Sequence, residues 1–271
     1  MPILTVTSGT TGVGTTTVAT NLAVVLARLG RRVIILDLAP APGAVARRLG
    51  ATVNQDKPHG RRPTSGLVPA MAEGPHGLRI MASHAHGRRW FAARSHSADV
   101  VDTIGLLAAV ADFVVVDLPA SHPASDQVVA TSERVLIVTK TSASSIGSAY
   151  GLVHHLCRLG GETEIGIVVN GVGDPDEAGW AYRAVCAAAE MTPGRQLESY
   201  GLVAADPQVP RAQMMQRAVV DCRPHSPSSR CFDALGRRIV YGGPFGGGAM
   251  SVFPSTQESS LYNATEVRQC A

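Results

Sequence analysis

Aromatic residues are scarce in this 271-residue chain, at 4% of the sequence. Its core must therefore be built from Val, Leu, Ile and Ala, which the 45% hydrophobic content supplies. A strong charge of either sign is also lacking. The 24 basic and 21 acidic residues leave a net charge of +3, too mild for the clustered basic face that nucleic-acid binding demands. The five cysteines (Cys157, Cys186, Cys222, Cys231, Cys270) are scattered, odd in number and without a C-x-x-C pair. They indicate neither a disulfide framework nor a zinc site, and they suit a reducing cytoplasm. No run of about 18 apolar residues is present, so no transmembrane helix is expected. The opening "MPILTVTSG" has no basic n-region and no long apolar core, and is not read as a signal peptide.

What the chain does have is alternation. Residues 3–7, 32–37, 77–82, 112–117, 134–139 and 164–170 are short, β-branched and continuously apolar. That pattern marks strands of a parallel sheet covered on both sides. Between them, Val18, Leu22, Val25 and Leu29 recur at helical spacing, as do Ile146, Tyr150, Val153 and Cys157, and Val100, Ile104 and Leu107. Strand–helix alternation predicts an α/β fold with a doubly wound, mainly parallel sheet and helices on both faces. Residues 51–76, rich in Gly, Pro, His and Arg, are read as surface loops with one short helix near 66–73. One domain is expected over 1–241. The tail 242–271 opens with a glycine cluster and shows no periodicity, and is read as disordered.

The first strand runs into "SGTTGVGTTT", Ser8 to Thr17. A strand, a glycine-rich loop and a helix form the setting in which backbone N–H groups bind phosphate. Gly9 and Gly14 keep the four-residue gap of a P-loop, and Thr16 stands where a hydroxyl would meet Mg²⁺. Thr15 stands where a lysine would reach the β- and γ-phosphates. Such a turn also serves as a plain connector, so the loop alone does not decide. Two further strands end in carboxylates, Asp37 and Asp117, on the side where ligands bind in such sheets. Asp117, after four apolar residues, has the form of a Walker B aspartate, which holds Mg²⁺ through water.

With these residues in place, the sequence resembles the MinD/ParA family of deviant Walker A ATPases, which have a P-loop NTPase fold. The likeness runs through "SGTTGVGTTTVATNLAVVLARLGRRVIILDLAPAPGAVARRLG", "DFVVVDLPAS", "VLIVTKTSASSIGSAYGLVHHL" and "IGIVVNGV", covering roughly 1–240. Within the family, "YGLVAADPQVPRAQMMQRAVVDCRPHSPSSRCFDALGRRI" is similar to the flagellar-number regulators FleN/FlhG. "GVGTTTVATNLA" is instead similar to pilus and secretion scaffolds of the TadZ/CpaE type and to the cellulose-synthesis relative BcsQ.

The resemblance implies an ATP or ADP site with Mg²⁺. Gly9, Thr10, Thr11, Gly12, Val13, Gly14, Thr15, Thr16 and Thr17 would surround the phosphates, and Asn170, Asp206 and Pro207 would flank the base. Thr16 and Asp117 would hold Mg²⁺, with Asp37 and Asp117 the residual catalytic carboxylates. The departures concern charge. The family's signature lysine corresponds to Thr10, the following glycine to Thr11, the P-loop lysine to Thr15, and the second acid after strand two to Ala39. Positioned positive charge carries phosphoryl transfer, so the expectation is a very weak ATPase or a pseudoenzyme. It would act through protein partners of a flagellar or other surface-organelle assembly, or of its transcriptional regulator, with nucleotide-dependent homodimerisation implied by the family.

The sequence opens on its first strand, so the N-terminal extension of FlhG-type proteins is not expected. Its tail has neither an apolar stripe nor a basic face for a membrane helix. A cytoplasmic location is expected, with attachment at the inner face of the plasma membrane the family's alternative. His84 and His86 lack a third ligand at metal spacing, and Arg61, Arg62, Arg88 and Arg89 lack interleaved aromatics, so a ParA-like DNA partitioner is the weaker alternative. Ser144 and Ser145 near His154 and His155 lack a nucleophile elbow and are read as helix caps.

Overall fold

The structure is a computed structural model that describes residues 2–39, 43–51, 71–82, 97–120, 122, 125–190 and 196–242. Its strands are β1 (Ile3–Thr7), β2 (Val33–Asp37), β3 (Ala72–Glu73), β4 (Arg79–Ala82), β5 (Phe113–Asp117), β6 (Arg134–Thr139), β7 (Glu164–Val172) and β8 (Leu197–Ala204). Its α-helices are α1 (Thr15–Arg28), α2 (Ala44–Arg48), α3 (Ser97–Ala108), α4 (Ser125–Thr131), α5 (Ala143–Leu159), α6 (Pro175–Glu190), α7 (Gln208–Met214), α8 (Val219–Cys222) and α9 (Pro227–Tyr241).

The strands form one sheet in the order β3-β4-β2-β5-β1-β6-β7-β8, parallel except for the β3–β4 edge pair. The order turns at β1, which lies between β5 and β6, and the loops after such a switch point open a crevice at the strands' carboxyl ends. Two apolar layers cover the faces. Helices α1, α2, α7, α8 and α9 pack on one, and α3 to α6 on the other. The central strands bury both faces: β2 and β5 are buried at all five positions. This is the physical reason they read as continuous apolar runs.

Helix α1 is buried from Val18 to Ala27 because β-strands lie below it and α8 and α9 above. Arg28 at its end pairs with Asp233 and donates to the Val220 carbonyl (2.9 Å), tying α1 to α8 and α9.

The six expected strands are present. The helix placed near 66–73 is corrected at its end, because Ala72 and Glu73 pair with β4 as an edge strand; residues 66–70 lie outside the described residues. Strand β8 was not foreseen. The capping reading is also corrected. Ser142 holds the N-cap position of α5 and its hydroxyl donates to the Ser145 hydroxyl (2.9 Å), while Ser144 and Ser145 sit in the first turn. The expected tail beyond Gly242 and the histidine and arginine candidates at 61–62 and 84–89 lie outside the described residues.

Candidate functional site

The loop between β1 and α1 is shaped by its glycines and braced by its threonines. Gly14 precedes α1 with φ at 98°, a left-handed conformation that favours glycine. A Cβ on Gly14 would lie 2.2 Å from Asn170 Nδ2, and one on Gly9 would lie 2.1 Å from the Ser148 carbonyl oxygen. No side chain caps α1, so the N–H groups of its first turn carry the helix's positive end without an intrahelical acceptor. The Thr15 hydroxyl donates to Ser8 Oγ (2.8 Å), which donates to the Thr10 carbonyl (2.9 Å). The side chain at the lysine position is therefore engaged in holding the loop. Thr10 is half-buried and Thr11 exposed, and neither can place a cation.

Asp37 and Asp117 are direct neighbours in the β2–β5 register. Both are buried, at 1% exposure each, yet their surroundings differ. Asp37 accepts from the Ala39 N–H (3.0 Å) through Oδ1 and from the Val45 N–H (3.0 Å) through Oδ2. It fixes the turn after β2 and the first turn of α2. Asp117 has a hydrogen bond from the Thr16 hydroxyl, while its Oδ2 is buried with no partner. Burial pushes the Asp117 carboxyl up to about 7, with Asp37 adding to the rise and Thr16 and Arg48 opposing it.

Thr17 gathers three elements. Its hydroxyl oxygen accepts from Arg48 Nη1 (3.2 Å) on α2 and from Gln213 Nε2 (3.1 Å) on α7. Its carbonyl accepts from Asn21 Nδ2 (2.9 Å), whose Oδ1 in turn accepts from the Val219 N–H (3.0 Å) of α8.

Asn170, near the end of β7, donates from Nδ2 to the Val13 carbonyl (2.7 Å) and so closes the loop from the other side. Asp206 and Pro207 follow β8. Asp206 accepts from the Gln208 N–H (2.8 Å), the Ser228 N–H (3.2 Å) and the Ser228 hydroxyl (2.6 Å). Burial works against its charge, but the bonds from Ser228, Gln208 and Ser226 outweigh it and hold the carboxyl below its usual value. The two residues line an open cleft of about 610 Å³ with Arg223, His225 and Ser226.

The structure thus brings the loop, Asp37, Asp117 and Asn170 together, whereas Asp206 and Pro207 line their own cleft and reach the loop through α7 and Gln213. Sequence reasoning missed Ser8, Arg48, Gln213 and Ser148 as partners of the loop. Ser8 lay inside the glycine loop itself, and the other three lay in quoted stretches whose side chains had been given no role.

These residues fit a magnesium nucleotide in part. A buried carboxylate oxygen without a partner, beside a threonine hydroxyl, is the hard-oxygen donor pair that suits Mg²⁺. The uncapped helix start suits phosphate. The loop itself supplies no side-chain cation.

Residues 4–219 match the model of the CobQ/CobB/MinD/ParA nucleotide binding domain. The chain belongs to this family. It is similar to the antiactivator FleN of Pseudomonas aeruginosa, 29% identical over 242 residues that cover 88% of this chain and 85% of that protein. It has the fold of MinD in the MinC:MinD cell division complex of Aquifex aeolicus (TM-score 0.69, 20% identity, 92% of this chain and 99% of that one). The fold also matches the septum site-determining protein MinD of Pyrococcus horikoshii, solved with Mg-ADP (TM-score 0.66, 19% identity, 89% and 96% covered). Among the described residues no helix is long and apolar enough to cross a membrane.

Proposed function

We propose that the chain is a nucleotide-binding regulator of the FleN kind, controlling flagellar number or placement by binding protein partners, with ATP hydrolysis near background. The observation that carries this reading is the pairing of a glycine-shaped cradle with a loop that offers no side-chain cation. Gly12, Gly14, Thr16 and the unpartnered oxygen of Asp117 keep the arrangement for a magnesium nucleotide, while Thr15 is bonded to Ser8 instead of projecting a cation. Mg²⁺, when bound, would neutralise phosphate charge.

The chain's own residues would then divide the work. The first turn of α1 would bind phosphate oxygens, Thr16 and Asp117 would hold the ion, and Asn170, with Asp206 and Pro207, would bound the base. Asp37, with both oxygens on backbone N–H groups, would set the geometry of the turn that follows β2. Ala39 offers no carboxylate to orient an attacking water. A pilus, secretion or cellulose scaffold is the second reading, favoured by the loop wording "GVGTTTVATNLA".

The test is a titration with a fluorescent ATP analogue and Mg²⁺, followed by turnover assays. Binding with turnover near the uncatalysed rate is the expected result. A magnesium-dependent turnover abolished by Asp117→Ala would overturn the weak-hydrolysis reading, and no binding up to millimolar nucleotide would overturn the site itself.

A further inference from the structure

Lysine occurs at only two positions in the chain, Lys57 and Lys140, so arginine carries nearly all of its positive charge. One arginine is placed unusually. Arg48 closes the short helix α2, is half-buried, and donates through Nη1 to the Thr17 hydroxyl (3.2 Å) in the first turn of α1. We propose that Arg48 is the phosphate-contacting cation of this site, supplying from α2 the charge that Thr10 and Thr15 do not supply from the loop. The inference rests on the nucleotide reading above.

Three observations support it. First, Arg48 reaches the first turn of α1 through Thr17, the residue after Thr16, whose hydroxyl bonds Asp117; burial lowers the guanidinium's pKa, and the nearby Asp117 and Asp37 oppose that lowering. Second, no ion pair joins Arg48 to either carboxylate among the described residues, and its hydrogen bond to Thr17 uses one of five guanidinium donors. The other donors, and the positive charge they carry, have no partner among the described residues and are available to an anion. Third, holding a guanidinium half-buried costs free energy unless a partner compensates. The bond to Thr17 and the attraction of Asp117 and Asp37 offset part of that cost, yet burial still holds the guanidinium below its ordinary pKa, and an anion at the start of α1 would offset the rest.

A purely structural Arg48 would join α2 to α1 and do nothing more. Arg48→Gln separates the two roles, because it keeps a donor for Thr17 and removes the charge. Binding of a fluorescent ATP analogue with Mg²⁺ is measured across a salt series in the wild type, Arg48→Gln, Arg48→Lys and the double variant Arg48→Gln/Thr15→Lys. The expected result is a loss of tenfold or more in Arg48→Gln with a shallower salt dependence, near-retention in Arg48→Lys, and recovery in the double variant. Arg48→Gln binding within twofold of the wild type, with the same salt slope, would overturn the proposal while leaving the nucleotide site standing. Should Arg48→Gln fail to fold in a thermal melt, Arg48→Lys decides. A tenfold loss of binding in folded Arg48→Lys with an unchanged salt slope would show geometry without a charge role and overturn the proposal. A wild type that binds no nucleotide would overturn both readings.

Discussion

Asn170 and Gly14 lie so close that the loop and the end of β7 determine one another. The Asn170 amide donates to the Val13 carbonyl at 2.7 Å, and its Nδ2 lies 2.2 Å from where a Cβ on Gly14 would be. The glycine makes room for the clamp, and the clamp holds the carbonyl next to the glycine.

Gly14→Ala is therefore expected to cost about 1–3 kcal/mol, from a side chain at positive φ and from displacement of Asn170. In an Asn170→Ala background the contact disappears and the φ strain remains, so the same change should cost less. A double-mutant cycle by urea unfolding measures this coupling. Full additivity would show that the two residues do not act on each other.

Asp37→Ala should destabilise by about 1–3 kcal/mol for each of the two N–H groups it leaves unpaired, those of Ala39 and Val45. Asp37→Asn, which keeps one acceptor oxygen, should fall between the wild type and Asp37→Ala. Equal melting temperatures for all three would refute the clamp role.

Asp117 predicts a pH dependence. Its carboxyl is raised from 3.8 to about 7 in the fold, so across that window the folded chain keeps a proton the unfolded chain has released. Stability should fall as pH rises through this range and level off above it. Asp117→Asn should flatten the profile. Mg²⁺ competes with that proton, so any stabilisation by Mg²⁺ and nucleotide should grow with pH up to about 8. Thermal melts from pH 5 to 8 with and without Mg-ATP measure both effects. A slope unchanged in Asp117→Asn would reject the assignment.

Thr15→Lys should tighten nucleotide binding by tenfold or more, since a hydrogen bond to a charged partner contributes about 1.5–3 kcal/mol. It also removes the Thr15–Ser8 bond and should lower the melting temperature slightly. Calorimetric titration against Thr15→Val separates the gain of charge from the loss of the bond.

Much of the sheet was legible because strands buried on both faces leave an uninterrupted apolar run. Strand β8 was not, since "LESYGLVA" is broken by Glu198, Ser199 and Gly201. Those breaks have partners that only the fold supplies. Glu198 meets Arg238 (3.4 Å), and the Tyr200 ring fills the space where a side chain on Gly166 would stand. The site divides in the same way. The loop and both strand-end aspartates were visible as motifs. Arg48 was not, because α2 is one turn long and its last residue gains meaning only when it folds back over α1. Asp37 and Asp117 both end strands, and the sequence set Asp117 apart by its Walker B form; the backbone donors on Asp37 and the unpartnered Oδ2 of Asp117 are the physical difference that only the fold supplies.

Gly9 has a consequence for how such loops are counted across genomes. The carbonyl of Ser148 on α5 occupies the place its side chain would need, so that glycine is demanded by packing whether or not any nucleotide arrives. A lineage could abandon ATP altogether and still be forced to keep it. Gly9 by itself therefore reports the seating of α5, and the unpartnered oxygen of Asp117 is the better marker of a phosphate loop that still serves a ligand.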